Sequence, residues 1–203
     1  MTKIKLCGLS RPCDIEWANA LLPDYVGFVF AKKSRRCVSP ERVNDLRKGL
    51  DPGIRAVGVF VNEAPETIAD LLNSGVIDIA QLHGGEDEDY ISSLRKLTTK
   101  PLIQAFRVEG PADLERAQAS PADCILLDNG AGGTGRAFDW TLLKAFGRPY
   151  FLAGGLDAEN VARAVKILHP FAVDVSSGIE TEGAKDSMKM TAFVNAARNA
   201  QWG

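Results

Sequence analysis

The sequence has few of the residues that mark metal, redox and secreted proteins. Its 203 residues include four cysteines and two histidines, and no two cysteines form a CxxC pair. This spacing argues against a zinc or redox motif and favours a reducing cytoplasm. Cys7, His83 and Asp128 are scattered singly along the chain. We therefore expect no metal site.

Long apolar runs are also missing. The first residues, Met-Thr-Lys-Ile-Lys, do not begin a signal peptide, and no later run is long enough to cross a bilayer. The net charge of -2 creates no overall field for nucleic acid or an acidic membrane, so neither is expected as a partner. No Pro/Gly/Ser linker divides the chain. Residues 1–203 are predicted to form one cytoplasmic domain with a substantial core.

The chain does contain a regular alternation of short apolar runs and helical stretches. The predicted strands are Lys3–Cys7, Tyr25–Phe30, Ile54–Val61, Ile77–His83, Leu102–Phe106, Cys124–Asp128, Tyr150–Ala153 and Ala172–Ser176. The helices that follow them are Pro12–Leu22, one from near Pro40, Pro65–Ser74, one from the acidic run 86–89, Pro111–Ala119, Asp139–Phe146, Asp157–Leu168 and Met188–Ala197. Eight units of about 25 residues predict an α/β fold, a single compact (β/α)8 barrel. The alternative is an open doubly wound sheet, which usually has fewer strands.

In such a barrel the chemistry lies at the carboxyl ends of the strands. Those positions are polar or rich in glycine, unlike the strands that lead to them: Cys7, Lys32–Arg36, His83, Arg107, Asp128, Gly154-Gly155 and Ser176–Gly178. Gly154-Gly155 and Ser176-Ser177 follow the seventh and eighth strands, where barrels often bind phosphate through backbone N–H groups. We therefore predict a phosphate site there, although each feature alone is also typical of a turn.

The sixth strand ends at Asp128, and a glycine-rich loop follows it. Glycines 130, 132 and 135 match G-x-G-x-x-G, which by itself indicates a dinucleotide site. The match is weak, because an Asp-Asn pair precedes the first glycine and the next strand ends in glycines rather than an acid. A merely flexible loop would leave Asp128 unexplained. We favour an acid–base role for Asp128 beside a bound anion.

Three further features have a structural and a functional interpretation. The basic run Lys32–Arg36 is either a solvated loop or supplies an arginine that holds a carboxylate; a nucleic-acid patch lacks interleaved aromatics. His83 is either a structural group or a substrate contact. Cys7 is either a small core residue or a base or nucleophile, if nearby cations lower the pKa of its thiol.

Side-chain alternation predicts one contact inside the barrel. If Cys7 points inward, Lys5 shares its face, and Asp174 shares a face with Ser176. The first and last strands are neighbours in a closed barrel, and a lone buried charge costs several kcal/mol. We therefore predict that Lys5 and Asp174 meet. Gln81 shares a face with His83 in the same way.

The ordered segments carry a family resemblance. They read K-I-K-L-C-G-L, G-F-V-F-A-K-K-S-R-R, V-G-V-F-V-N, Q-L-H-G, L-L-D-N-G-A-G-G-T-G with F-D-W, L-A-G-G-L and F-A-V-D-V-S-S-G-I-E. Over essentially its whole length the chain resembles the phosphoribosylanthranilate isomerases of tryptophan biosynthesis. The departures are small: Ser10 stands where threonine is usual, and Cys37 where an aromatic is common.

The resemblance implies an Amadori rearrangement of N-(5-phosphoribosyl)anthranilate to 1-(2-carboxyphenylamino)-1-deoxyribulose 5-phosphate, with no cofactor. It implies that Cys7 is the general base and Asp128 the general acid, which must keep its proton, and that Arg36 holds the anthranilate carboxylate. The implied phosphate contacts are Gly154, Gly155, Ser176 and Ser177. His83, Gly133 and Asp174 are predicted as further substrate contacts from their positions at the mouth of the barrel. The protein is expected to be a monomer or a homodimer.

Two other functions stay open on the sequence. One is the sister isomerase of histidine biosynthesis, which uses aspartate where this chain has Cys7 and needs a second phosphate loop that is not evident. The other is a phosphate-binding module without catalysis, which the presence of both Cys7 and Asp128 disfavours.

Overall fold

The computed structural model describes residues 1–128, 143 and 146–200. The described strands that pair in sequence order are β1 Lys3–Cys7, β2 Tyr25–Val29, β3 Arg55–Phe60, β4 Ile79–Leu82, β5 Leu102–Arg107, β6 Cys124–Asp128, β7 Tyr150–Ala153 and β8 Ala172–Val175. The described helices are α1 Pro12–Leu21, α2 Pro40–Lys48, α3 Pro65–Asn73, α4 Glu88–Arg95, α5 Pro111–Ala119, α6 Val161–Leu168 and α7 Ser187–Asn199.

The eight strands form a closed barrel in which each pairs in parallel with its neighbours. Closure comes from β1, which pairs with both β2 and β8. The predicted (β/α)8 barrel is therefore confirmed, and the open doubly wound sheet is wrong because that sheet leaves two unpaired edges. In the closing pair, Lys5 lies opposite Asp174.

Two apolar layers stabilise this arrangement. Rings and branched side chains fill the inside of the barrel, where Tyr25 and Phe151 have centroids 5.3 Å apart. A larger cluster joins the outer faces of the strands to the helices. Burial of apolar surface contributes about 25 cal/mol per Å² to folding, so these layers dominate the stability of the barrel.

Local sequence signals begin the helices. Proline opens α1, α2, α3 and α5, where its fixed φ and missing N–H are tolerated. Ser39 accepts a hydrogen bond from the backbone N–H of Arg42 and is the N-cap of α2. Asp87 caps α4 through the N–H of Tyr90. Glu86, at the start of the same acidic run, instead accepts from the backbone of Asn62.

Some predicted boundaries differ from the structure. The helix predicted from Asp157 begins at Val161, because the side chain of Asp157 accepts hydrogen bonds from the N–H groups of Glu159 and Asn160 and holds a turn there. The predicted helix Asp139–Phe146 falls almost wholly outside the described residues. The other described boundaries agree within two residues.

A hairpin that the sequence analysis did not predict follows β8. A short 3-10 helix, Ser177–Ile179, leads into β9 Glu180–Thr181, which pairs antiparallel with β10 Ala184–Lys185. Glu182 and Gly183 join them with φ of 51° and 84°, as a two-residue hairpin loop requires. Among the described residues, no helix is long and apolar enough to span a membrane.

Candidate active site

A cavity of about 470 Å³ opens at the carboxyl ends of the barrel strands. Nine of the residues predicted to be catalytic or substrate-binding line it: Cys7, Arg36, His83, Asp128, Gly154, Gly155, Asp174, Ser176 and Ser177. The tenth, Gly133, lies outside the described residues. Closure of the barrel thus brings into one cavity residues from six of the eight strand–helix units.

Cys7 ends β1 and is 7% exposed. Its sulfur occupies space that Gly27 leaves on the neighbouring strand, since a Cβ at Gly27 would lie 2.6 Å from Sγ. Burial raises the pKa of the Cys7 thiol and the Asp174 carboxylate adds to the rise, whereas Lys5 and Lys185 oppose it. The expectation that nearby cations lower this pKa is therefore wrong, because burial outweighs them.

Lys5 and Asp174 meet inside the barrel, as predicted. Lys5 Nζ lies 3.0 Å from Asp174 Oδ1, and the lysine is fully buried. Burial favours the neutral amine, but the charge and hydrogen bond of Asp174, helped by Cys7, raise the pKa of Lys5. Asp174 lines the cavity with one oxygen already bound to lysine, and the fully buried Lys5 lies behind it.

Asp128 ends β6 across the cavity from β1 and faces His83. His83 Nε2 lies 3.4 Å from Asp128 Oδ2, and Gln81 Nε2 lies 2.8 Å from His83 Nδ1. With the amide nitrogen of Gln81 facing Nδ1, that nitrogen accepts, and this predicts a ring proton on Nε2 facing Asp128. The shared face of Gln81 and His83 is confirmed. The contact with Asp128 was not predicted.

Arg36 reaches the cavity from the loop after β2. Its Nε and Nη2 donate to the two carboxylate oxygens of Glu180 at 2.6 and 2.8 Å. The guanidinium stem crosses Gly8, where an added Cβ would lie 2.5 Å from Arg36 Cδ. Glu180 and Gly8 were not predicted as functional, although both stand in the family-like segments. No local sequence pattern identifies Glu180 or Gly8 as functional, because the role of each depends on its contact with Arg36.

The loops after β7 and β8 lie side by side at the rim of the cavity. Gly154 and Gly155 have φ of 89° and 69°, a conformation that glycine adopts readily. A Cβ at Gly178 would overlap the carbonyl oxygen of Leu156, so the two loops are in contact. Lys185 Nζ donates to Ser176 O at 2.9 Å and brings a buried cation to this end.

The described part of the chain offers no metal centre. Within residues 1–128 and 146–200, no three His, Cys, Asp or Glu side chains are close enough to hold an ion. The groups that face the cavity are instead a thiol, a carboxylate, an imidazole and a guanidinium. This set can transfer protons and hold anions.

Comparisons with known proteins agree with this geometry. The family described as "N-(5'phosphoribosyl)anthranilate (PRA) isomerase" matches residues 4–196. The chain belongs to this family. A relative from Endomicrobium trichonymphae, named N-(5'-phosphoribosyl)anthranilate isomerase, is 46% identical over 203 residues, covering 98% of this chain and 100% of that protein. The resemblance found in the sequence is thus confirmed, and the protein is an isomerase of tryptophan biosynthesis.

Solved structures of phosphoribosylanthranilate isomerases share the fold. The enzyme from Thermotoga maritima superposes with a TM-score of 0.89 at 37% identity, covering 98% of this chain and 100% of that one. Another structure, at 36% identity and a TM-score of 0.87, covers the same shares of the two chains. That second protein was solved in complex with reduced 1-(o-carboxyphenylamino)-1-deoxyribulose 5-phosphate. The isomerase barrel therefore extends over the whole described chain.

Proposed function

We propose that this isomerase converts N-(5-phosphoribosyl)anthranilate to 1-(2-carboxyphenylamino)-1-deoxyribulose 5-phosphate by general acid–base catalysis. The observation that carries the proposal is that Cys7 and Asp128, from β1 and β6, line the same cavity as Arg36 and the glycine loops. The guanidinium of Arg36 suits a carboxylate, and the loops suit a phosphate. A related structure holds the reduced product, which has both groups.

Asp128 is the proposed acid. A protonated carboxyl group donates to the ring oxygen of the ribose, the C1–O bond breaks, and the anthranilate nitrogen forms a Schiff base with C1. His83 supports this step because its Nε2 lies 3.4 Å from Asp128 Oδ2, where a proton on Nε2 steadies the carboxylate left after donation. The substrate's own nitrogen accepts electron density, so the reaction needs no cofactor.

Cys7 is the proposed base. The Schiff base acidifies the C2 proton, the thiolate removes it, and the resulting enol returns as the ketone when C1 is protonated. The raised pKa of Cys7 makes the thiolate a minor but strongly basic species. Lys5 and Lys185 favour that thiolate. Each proton-transfer group contributes about 10²–10⁴-fold to the rate.

The remaining assignments follow from position in the cavity. Arg36 binds the anthranilate carboxylate, and Gly154, Gly155, Ser176 and Ser177 bind the phosphate. We extend the phosphate site to Gly133 because it belongs to the glycine-rich sequence that follows β6. Described residues of a single chain line the cavity, so a monomer and a homodimer both fit this chemistry. Four free cysteines suit a cytoplasmic location.

A direct turnover assay tests the proposal. The fluorescence of the anthranilate adduct should decay when the protein is added to freshly formed N-(5-phosphoribosyl)anthranilate, at a rate proportional to enzyme concentration. The phosphoribosyl aminoimidazole substrate of the histidine pathway, tested in parallel, should turn over far more slowly. Absence of decay with the anthranilate adduct would reduce the protein to a phosphate-ligand binding module.

A further inference from the structure

Glu180 lies behind Arg36, on the side away from the cavity, and its side chain is only 4% exposed. Three cations donate four hydrogen bonds to its carboxylate. Oε1 accepts from Arg36 Nε at 2.6 Å and from Lys185 Nζ at 2.7 Å. Oε2 accepts from Arg36 Nη2 at 2.8 Å and from Arg35 Nη2 at 2.7 Å. Both oxygens are thus fully used by charged donors.

The contact with Glu180 leaves the Nη1 group of Arg36 to donate hydrogen bonds to a ligand. Nε and one Nη2 hydrogen are held by Glu180, whereas Nη1 has no hydrogen-bond partner among the described residues. Arg36 lines the cavity and Glu180 does not. The aliphatic part of Arg36 packs against Gly8 and occupies the space that a side chain at Gly8 would need. This packing restricts the orientation of the arginine. The guanidinium therefore has one preferred orientation relative to the cavity.

The cluster of Arg35, Arg36, Lys185 and Glu180 also carries a net positive charge, which attracts anions. Three cations and one carboxylate leave a net charge of about +2 beside the cavity. Lys185 donates to Ser176 O as well as to Glu180. Glu180 and Lys185 thereby connect Arg36 to the neighbouring serine loop.

We propose that Glu180 is a positioning residue for substrate recognition: it holds Arg36 so that its Nη1 edge meets the carboxylate of the anthranilate ring. This inference rests on the proposed function, in which Arg36 binds that carboxylate. The opposite relationship would be competition, in which Glu180 occupies Arg36 and a ligand must displace it. The two relationships predict opposite changes in affinity when Glu180 is altered.

Two ligands isolate the effect of the carboxylate. One is reduced 1-(o-carboxyphenylamino)-1-deoxyribulose 5-phosphate, and the other is its phenylamino analogue without the carboxylate. Dissociation constants measured by calorimetry for wild type, Glu180→Gln and Glu180→Asp give the carboxylate's share of affinity. Glu180→Gln turns one acceptor into a donor against the guanidinium. Glu180→Asp keeps the charge, which protects folding, but withdraws the carboxylate by one methylene.

Positioning predicts that both variants bind the carboxylate-bearing ligand about 10–100-fold more weakly, because a displaced guanidinium loses charge-assisted hydrogen bonds to that carboxylate. Their affinity for the phenylamino analogue should stay within about twofold of wild type. Arg35→Ala is the matched control, because Arg35 also bonds to Glu180 but is 60% exposed at its side chain and does not line the cavity. Because solvent screens this exposed charge, the variant should bind both ligands within about twofold of wild type.

The results of these binding measurements distinguish failure of the positioning role from failure of the proposed function. Unchanged or tighter binding of the carboxylate-bearing ligand by the Glu180 variants overturns positioning, and so does an equal loss of affinity for both ligands. Either result leaves turnover by the wild type intact. If the wild type neither turns over the anthranilate adduct nor prefers the carboxylate-bearing ligand, the proposed function itself fails.

Discussion

Lys5 Nζ on the first strand lies 3.0 Å from Asp174 Oδ1 on the last, at the seam where the barrel closes. The pair is buried, so neither charge has bulk water to solvate it. The ion pair also lies close to Cys7, and the charge of Lys5 interacts with the Cys7 thiol. One ion pair thus contributes both to closure of the fold and to the environment of the proposed base.

Removing one member of this pair should be costly. Lys5→Met leaves Asp174 charged and unpaired, and we expect the free energy of unfolding to fall by about 3–5 kcal/mol. The double variant Lys5→Met/Asp174→Leu removes both charges and should recover most of that loss. Urea unfolding followed by circular dichroism measures each value. A single variant as stable as wild type would show that the pair contributes little.

Substitution of the two proposed catalytic residues should abolish most turnover without unfolding the protein. Cys7→Ala and Asp128→Asn are each expected to lower kcat by about 10²–10⁴-fold, because each removes one proton-transfer group. Cys124→Ala is the control, since Cys124 begins β6 and does not line the cavity. It should turn over like wild type. Near-normal kcat in either catalytic variant would refute its assigned role.

Cys7 should react with alkylating agents only at alkaline pH. Burial raises the pKa of its thiol above the usual 9.0, so the protonated form dominates at neutral pH and the thiolate, which is the nucleophile, grows as the pH rises. The rate of iodoacetamide labelling at Cys7 should increase about tenfold per pH unit up to at least pH 9. Peptide mass spectrometry follows this site, and Cys7→Ala gives the background of the other three thiols. A rate that levels off near neutral pH would contradict the raised pKa.

Acid unfolding should reveal the ionisation of Glu180. Burial opposes its charge, but hydrogen bonds from Arg36 and Lys185 prevail and lower its pKa from 4.5 to about 2. Above 4.5 its contribution to stability is fully present. As the pH falls from about 4.5 towards about 2, the unfolded chain takes up a proton that the folded protein does not, so the contribution is lost.

Glu180→Gln removes this titrating group. The difference in unfolding free energy between wild type and variant should therefore be largest near neutral pH and shrink by about pH 3. Chemical denaturation at both pH values measures it, with Arg35→Ala as a control that keeps the carboxylate. A difference that does not change with pH would mean that Glu180 titrates alike in both states.

The tautomer of His83 is a separate prediction. Gln81 Nε2 donates to Nδ1, so neutral His83 should carry its proton on Nε2. Nitrogen-15 spectra of the imidazole rings can show this directly, because the chain has only two histidines and His169→Asn assigns the second. Gln81→Met should remove the preference for this tautomer and lower kcat more than it changes KM. Protonation at Nδ1 in the wild type would contradict the assigned hydrogen bond.

The site was predictable where it depends on strand order. Polar and glycine residues at the ends of apolar runs indicate which positions face the mouth of the barrel, and Cys7, Asp128, Gly154 and Ser176 all line the cavity. Side-chain alternation along two neighbouring strands was sufficient to predict the Lys5–Asp174 pair. These predictions use only local sequence, because successive side chains in a strand point to opposite faces of the sheet.

The sequence by itself determined the eightfold alternation, the family and the end of the barrel where the cavity opens. Only the tertiary structure decided that His83 faces Asp128, that Glu180 holds Arg36 and that Cys7 has a raised pKa. Each of these depends on distances between side chains from different strands and loops. Such distances, and the balance of burial against several charges, exist only once the barrel has closed.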